Sequence, residues 1–200
     1  AGKPLGHDNQ LMRVLGQKAR QDPKRIIFAE ADNQKILKAA QIAFEEGIAY
    51  PILLGDEKKI KRIALENNVD IDEMPIIDPR DDENEEKRKK FGDLFFKKRQ
   101  RKGINLYEST KIMKDRNYFG CMMVEAGEAD AVISGLTRNY AEAIRPALQL
   151  IGMEDDVKKI AGMYLLLTKR GPLFLADTTV NFNPTAAELA EITMMVAREV

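Results

Sequence analysis

Short apolar runs alternate with amphipathic stretches through the first two-thirds of the chain, and this alternation constrains the fold more than any other feature. Residues 25–31 (RIIFAEA), 49–54 (AYPILL), 74–77 and 129–134 are runs of four to seven mostly apolar residues, rich in β-branched side chains, and read as buried strands. Between them, 34–46 and 56–67 have helical spacing. Asp32-Asn33 and Asp56 stand ready as caps, and Gly47 and Gly55 as punctuation. A strand–helix–strand–helix–strand rhythm predicts an α/β fold, a parallel sheet flanked by helices. Such sheets bind ligands beyond the carboxyl ends of their strands. The turns to watch are therefore Glu30-Ala31-Asp32-Asn33 and the one after Ile133.

Further elements follow the same logic. Residues 11–19 have helical spacing, broken by Asp22-Pro23. The charged stretch 80–102 reads as a solvated helix with one apolar stripe of Phe91, Leu94, Phe95 and Phe96. Residues 105–115 form another amphipathic helix, and 117–126 an apolar one whose Met122 and Met123 belong to a core. A helix over 139–151 follows the last parallel strand. Residues 158–167 and 172–176 read as two strands joined by a turn at 168–171. Asn183 or Thr185 can cap a final helix from Ala186, with Pro184 in its first turn. The domain reading is a linker over 1–10, a first α/β subdomain over 11–140, and the start of a second over 141–200. The polar opening and the final helix, which lacks a stop signal, lead to the expectation of a piece cut from a longer polypeptide.

Charge removes several function classes. Lys and Arg total 32 against 32 Asp and Glu, so a nucleic acid or anionic membrane would feel no net attraction. No run of eighteen apolar residues and no signal-peptide core occur. The single cysteine, Cys121, lies among apolar neighbours and reads as a small core residue, in keeping with a reducing cytoplasm. The single histidine, His7, sits in the polar start, so neither a metal site nor a Ser-His-Asp triad is expected.

The segment 130–146 is the best candidate for chemistry. Ser134-Gly135 lets the backbone turn tightly and approach a ligand. The start of the helix near Asn139 favours an anion, and Arg138 and Arg145 add charge with geometry suited to phosphate. A charge-assisted hydrogen bond contributes about 1.5–3 kcal/mol, more than the roughly 0.3–1 kcal/mol of a helix terminus. An arginine should therefore dominate anion affinity. Equally, the arginines could pair with nearby carboxylates such as Glu142 and leave a plain strand–helix turn.

Four collinear stretches carry a resemblance. EAGEADAVISGLTRNYAEAIRPALQLIG, KRIIFAEADNQKILKAAQIAFEEGIAYPILLG, KKRQRKGINLYES and FLADTTVNFNPTAAELAEI resemble the phosphate acetyltransferase/butyryltransferase family. The resemblance implies two α/β subdomains of phosphotransacetylase-like, isocitrate/isopropylmalate dehydrogenase-like type. Within it, the PKRIIFAE opening and Tyr140 look most like the phosphotransacetylase-like domain of bacterial NADP-dependent malic enzymes. That branch implies a regulatory, acetyl-CoA-binding role, homo-oligomeric assembly, and malate oxidation by a separate upstream domain that would hold NADP and a divalent metal. The alternatives are an active phosphate acetyltransferase and a structural oligomerisation domain.

By residue, the resemblance implies ligand contacts at Ser134, Gly135, Arg145 and Arg99, to which the turn's own charge adds Arg138; Asn183 and Thr185 complete the candidate ligand-binding set, in a loop of mainly structural role shared with Asp177 and Asn181. No catalytic residue is assigned, because residues 136–140 depart from the usual transferase pattern and the family's catalytic segment lies beyond the residues read here. Acetyl-CoA is implied as effector or substrate, with no cofactor or metal in this segment.

Overall fold

The computed structural model describes residues 10–154, 157–168 and 170–200. His7 and all of the expected linker but Gln10 lie outside them. The described residues divide into two compact units, one within 16–152 and the other formed by 10–15 with those of 153–200.

After α1 (Gln10–Gln21), β1 (Lys24–Phe28), β2 (Ala49–Leu54), β3 (Ile76–Ile77) and β4 (Ala131–Ile133) of the larger unit form one parallel sheet in the order β3-β2-β1-β4. The strand side chains alternate between its faces as a pleat requires. Phe28 and Leu53 join Leu37, Ala40, Ile60 and Ala64 from α2 (Gln34–Glu45) and α3 (Glu57–Glu66) on one face. Ile27, Ile52 and Leu54 face Phe91, Phe95, Met113, Phe119 and Met122 on the other. These come from α4 (Glu85–Arg99), the end of α5 (Leu106–Ile112), and α6 (Arg116–Glu125). The parallel sheet between helical layers is the architecture the alternation predicts.

Caps fall close to their predicted places. Asn33 caps α2 through the N–H of Lys35, and Asp56 caps α3 through that of Lys59. Asp32 does not share the capping role, because two cations claim it. Phe91 and Phe95 are fully buried, so the apolar stripe of α4 is spent on the core rather than on a free face. Arg88 departs from the solvated reading of this stretch: it is buried and donates to the carbonyls of Pro79 and Asp81. Met122, Met123 and Cys121 are buried as expected. Desolvation pushes the Cys121 thiol up to about 12, which removes it as a nucleophile at neutral pH.

The smaller unit pairs β5 (Met163–Thr168) antiparallel with β6 (Gly171–Ala176) and carries α8 (Ala186–Glu199). Thr185 caps α8, exchanging hydrogen bonds with Glu188. Pro184 precedes the cap, outside the first turn where the sequence reading put it. Asp177 organises the loop after β6. Its carboxylate accepts from the backbone N–H groups of Gly162, Thr179, Val180 and Asn181 and from the Asn181 amide, at 2.5–3.2 Å.

Candidate active site at the β1–β4 switch point

The chain progresses from β1 through β2 to β3, then crosses back so that β4 lies on the other side of β1. Strand order reverses at that point, which is where open sheets of this kind bind ligands, beyond the carboxyl ends of the strands. Both turns singled out in the sequence end there. α7 (Tyr140–Leu150) leaves the second of them, and α6 runs back from the same edge toward the start of β4. The sheet lies close under α6 at Gly120, where a Cβ would stand 3.2 Å from Ile27 and 3.3 Å from Leu54.

Glu30 ties the two turns together. Only 4% exposed, it directs its carboxylate at the chain after β4. Oε2 accepts the N–H of Gly135 at 3.1 Å and of Leu136 at 2.7 Å. Oε1 accepts the N–H of Thr137 at 3.0 Å and its hydroxyl at 2.5 Å. Burial alone would raise the Glu30 pKa; the Thr137 hydroxyl and the three N–H groups outweigh it and hold the carboxyl below its usual range. Gly135 has φ +111°, in the left-handed region, which explains a glycine at the turn's sharpest point.

The ends of this turn are tied to α6. The Ser134 hydroxyl donates to Asn117 Oδ1 at 2.9 Å, and Asn117 is buried, with its Nδ2 unpartnered among the described residues. Arg138 Nη1 donates to Asp115 Oδ2 at 2.8 Å, while Asp115 Oδ1 caps α6 through the N–H groups of Asn117 and Tyr118. The arginine is thus ion-paired, as one of the two readings held, but with Asp115 rather than Glu142. The N–H of Glu142 goes instead to the Asn139 cap of α7.

A second carboxylate, Asp32, binds Arg116 Nη1 at 2.7 Å and Nη2 at 3.2 Å, and Lys59 Nζ at 2.8 Å. Burial would raise its pKa, but the hydrogen bonds and charges of Arg116 and Lys59 lower it to about 2. A depressed folded-state pKa gives stability that is present above the unfolded value near 4 and is lost as pH falls through about 2. Calorimetry from pH 7 downward is therefore expected to show Asp32→Asn less stable than wild type by ~1–2 kcal/mol at neutral pH, with the gap closing toward pH 2. A gap that is constant with pH would contradict the pairing.

Arg145 lies on α7, exposed and without an ion pair among the described residues. Arg99, at the end of α4, is partly buried, with Nε unpartnered among the described residues. Both lie within electrostatic reach of Tyr118, whose hydroxyl donates to Gln149 at 2.8 Å. Ser134 and Arg138 thus bond to the start of α6, Arg145 and Arg99 act on its Tyr118 only through charge, and Gly135 is held by Glu30. Thr185 and Asn183 belong to the smaller unit, where the Thr185 hydroxyl is engaged in its cap.

A family model described as phosphate acetyl/butaryl transferase matches residues 10–200. The chain belongs to the phosphate acetyl/butyryltransferase family. A phosphate acetyltransferase of Clostridium acetobutylicum is 36% identical to this family member over 193 residues, covering 94% of the chain and 57% of that protein. An NADP-dependent malic enzyme of Haemophilus influenzae is 34% identical over 194 residues, covering 94% of the chain but 25% of the enzyme. Among solved structures, the EutD phosphotransacetylase from Staphylococcus aureus superposes with a TM-score of 0.83 at 27% identity, over 93% of this chain and 55% of that one. The chain thus spans somewhat more than half the length of the Clostridium transferase and of the Staphylococcus structure, and a quarter to a third of the phosphate acetyltransferases of Nitratidesulfovibrio vulgaris and Helicobacter pylori.

These matches correct one expectation. The sequence reading placed the chain in a malic enzyme as a regulatory acetyl-CoA-binding domain. Stand-alone phosphate acetyltransferases match it along nearly its whole length, with phosphotransacetylase structures, so the transferase alternative is the better supported. The NADP and oxidoreductase assignments fall with the malic-enzyme reading. No helix of the described residues is long and apolar enough to cross a membrane.

Proposed function

We propose that this chain serves phosphate acyl transfer, the reversible movement of a short acyl group such as acetyl between the thiol of CoA and inorganic phosphate. In the acyl-phosphate direction, phosphate oxygen attacks the thioester carbonyl, a carbon–oxygen bond forms, and the carbon–sulfur bond breaks to release CoA. In the reverse direction the thiol attacks the acyl phosphate and must lose its proton. A thiol with a pKa near 8.5 is mostly protonated at neutral pH, so a general base is needed.

The carboxylates of this site are poor candidates for that base. Glu30 has both oxygens filled, Asp32 holds Arg116 and Lys59, and Asp115 holds Arg138 and a helix start. Their role in the proposal is to arrange donors. Arg145, which lacks a protein counterion among the described residues, is the proposed principal anion contact, with Arg99, which also acts on Tyr118, as a second. Ser134, Gly135 and Arg138 line the turn. Acyl-CoA and phosphate are the proposed substrates, with no cofactor.

The observation that carries this reading is the extent of the match to transferases, 94% of the chain at 36% identity with the Clostridium enzyme. The test is phosphate-dependent release of CoA thiol from acetyl-CoA, followed with a thiol reagent on the full-length protein. Release that rises and saturates with phosphate is expected; release at the buffer rate at every phosphate concentration contradicts the reading.

A further inference from the structure

We propose that Glu30 is a positioning residue of the transfer site: its buried carboxylate fixes the backbone of residues 135–137, and so aims the Ser134 hydroxyl and the Arg138 guanidinium. This rests on the acyl-transfer reading of the same turn.

Three successive backbone N–H groups converging on one point make an anion-binding concavity. Here the protein fills it with its own carboxylate, reaching across 105–107 residues of sequence at 2.7–3.1 Å. Two consequences follow. A substrate phosphate cannot use these N–H groups without displacing Glu30, so anion capture falls to side chains, above all Arg145. The turn is also held from three sides before substrate arrives: its middle by Glu30, its start by Asn117, and its end by Asp115. Preorganisation of this kind matters because a misplacement of about 1 Å can cost 10²-fold in rate.

Glu30 is not itself placed to touch substrate. It is 4% exposed and each of its oxygens already accepts two hydrogen bonds. An ionised carboxylate accepts on both oxygens, whereas glutamine accepts on one and donates from the other. Glu30→Gln therefore turns an N–H₂ group toward backbone N–H donors and leaves at least one of them without its carboxylate acceptor.

The test uses the full-length protein with acetyl-CoA and phosphate, comparing wild type, Glu30→Gln, Glu30→Ala with and without added formate, and Thr137→Val. Hydrogen exchange of the amides at 135–137 is measured alongside. Glu30→Gln is expected to lower kcat/KM about 10²-fold, with part of the loss in a raised KM for phosphate, and to speed exchange at 135–137. Formate, a free carboxylate, is expected to restore part of the rate of Glu30→Ala. Thr137→Val, which removes one donor of four, should fold normally and lose severalfold.

A Glu30→Gln protein with wild-type kinetics and wild-type exchange overturns the positioning role. So does a fall confined to kcat, with KM unchanged and no response to formate, because that is the signature of a smaller folded fraction. An inactive wild type overturns the acyl-transfer reading itself, and the positioning role falls with it; an active wild type with an indifferent Glu30→Gln overturns the positioning role alone.

Discussion

Gly92→Ala is expected to destabilise the protein by about 2–3 kcal/mol, seen as a Tm lower by roughly 5–10 °C in calorimetry. Helix propensity alone gives the opposite sign, since alanine in a helix interior is favoured over glycine by about 1 kcal/mol. Packing decides the outcome. A Cβ on Gly92 would stand 2.6 Å from Thr110 Oγ1, 2.7 Å from its Cα and 3.0 Å from its N. The hydroxyl could rotate away, but the backbone of α5 could move only with the helix. α5 is fixed at its start by a reciprocal cap between Asn105 and Glu108, and Ser109 on it is fully buried. The same approach matters for the site, because α4 carries Arg99 two turns beyond Gly92. An unchanged or raised Tm would show that the two helices separate freely, and the description of this layer would be wrong.

Arg145→Ala is expected to lower kcat/KM for phosphate by about 10²–10³-fold while leaving the Tm within about 1–2 °C of wild type. Two charge-assisted hydrogen bonds from one guanidinium to a phosphate contribute about 3–4 kcal/mol together, and 1.4 kcal/mol is tenfold. The stability side follows from exposure: Arg145 is exposed and makes no ion pair among the described residues, and such surface changes stay within about 0.5 kcal/mol. Arg138→Ala makes the contrast. It breaks an ion pair with Asp115, so it should disturb stability and rate together. Steady-state kinetics with a melting curve for each variant separates the two residues. Arg145→Ala with unaltered kinetics would remove it from the anion site.

The difference between these arginines shows how far the sequence could be read. Periodicity located β2 and placed β1, α2, α3 and α7 within about three residues at either end, because local pattern and tertiary packing agree there. The turn after β4 was legible through Ser134-Gly135 and two arginines. Its partner was not. Glu30 stood in a turn already marked for attention, but nothing in residues 30–33 announces a carboxylate that closes on N–H groups more than a hundred positions away. Asp32 differs from its expected role for a related reason. Asp and Asn side by side before a helix both look like caps, and only the arrival of Arg116 and Lys59 assigns one to capping and the other to charge pairing. Glu142 was the natural partner for Arg138 by proximity in sequence; Asp115 won because α6 begins beside the end of β4. Capping and strand formation are local, whereas the pairings that shape this site are set by which loops meet at the switch point.

The most direct measurement of the central claim is phosphorus NMR of the full-length protein incubated with acetyl-CoA and inorganic phosphate. Acyl transfer predicts an acetyl phosphate resonance growing in step with free CoA, and its near-absence over the same interval with Arg145→Ala. Acetyl-CoA that binds and remains intact, with inorganic phosphate unchanged, would contradict it.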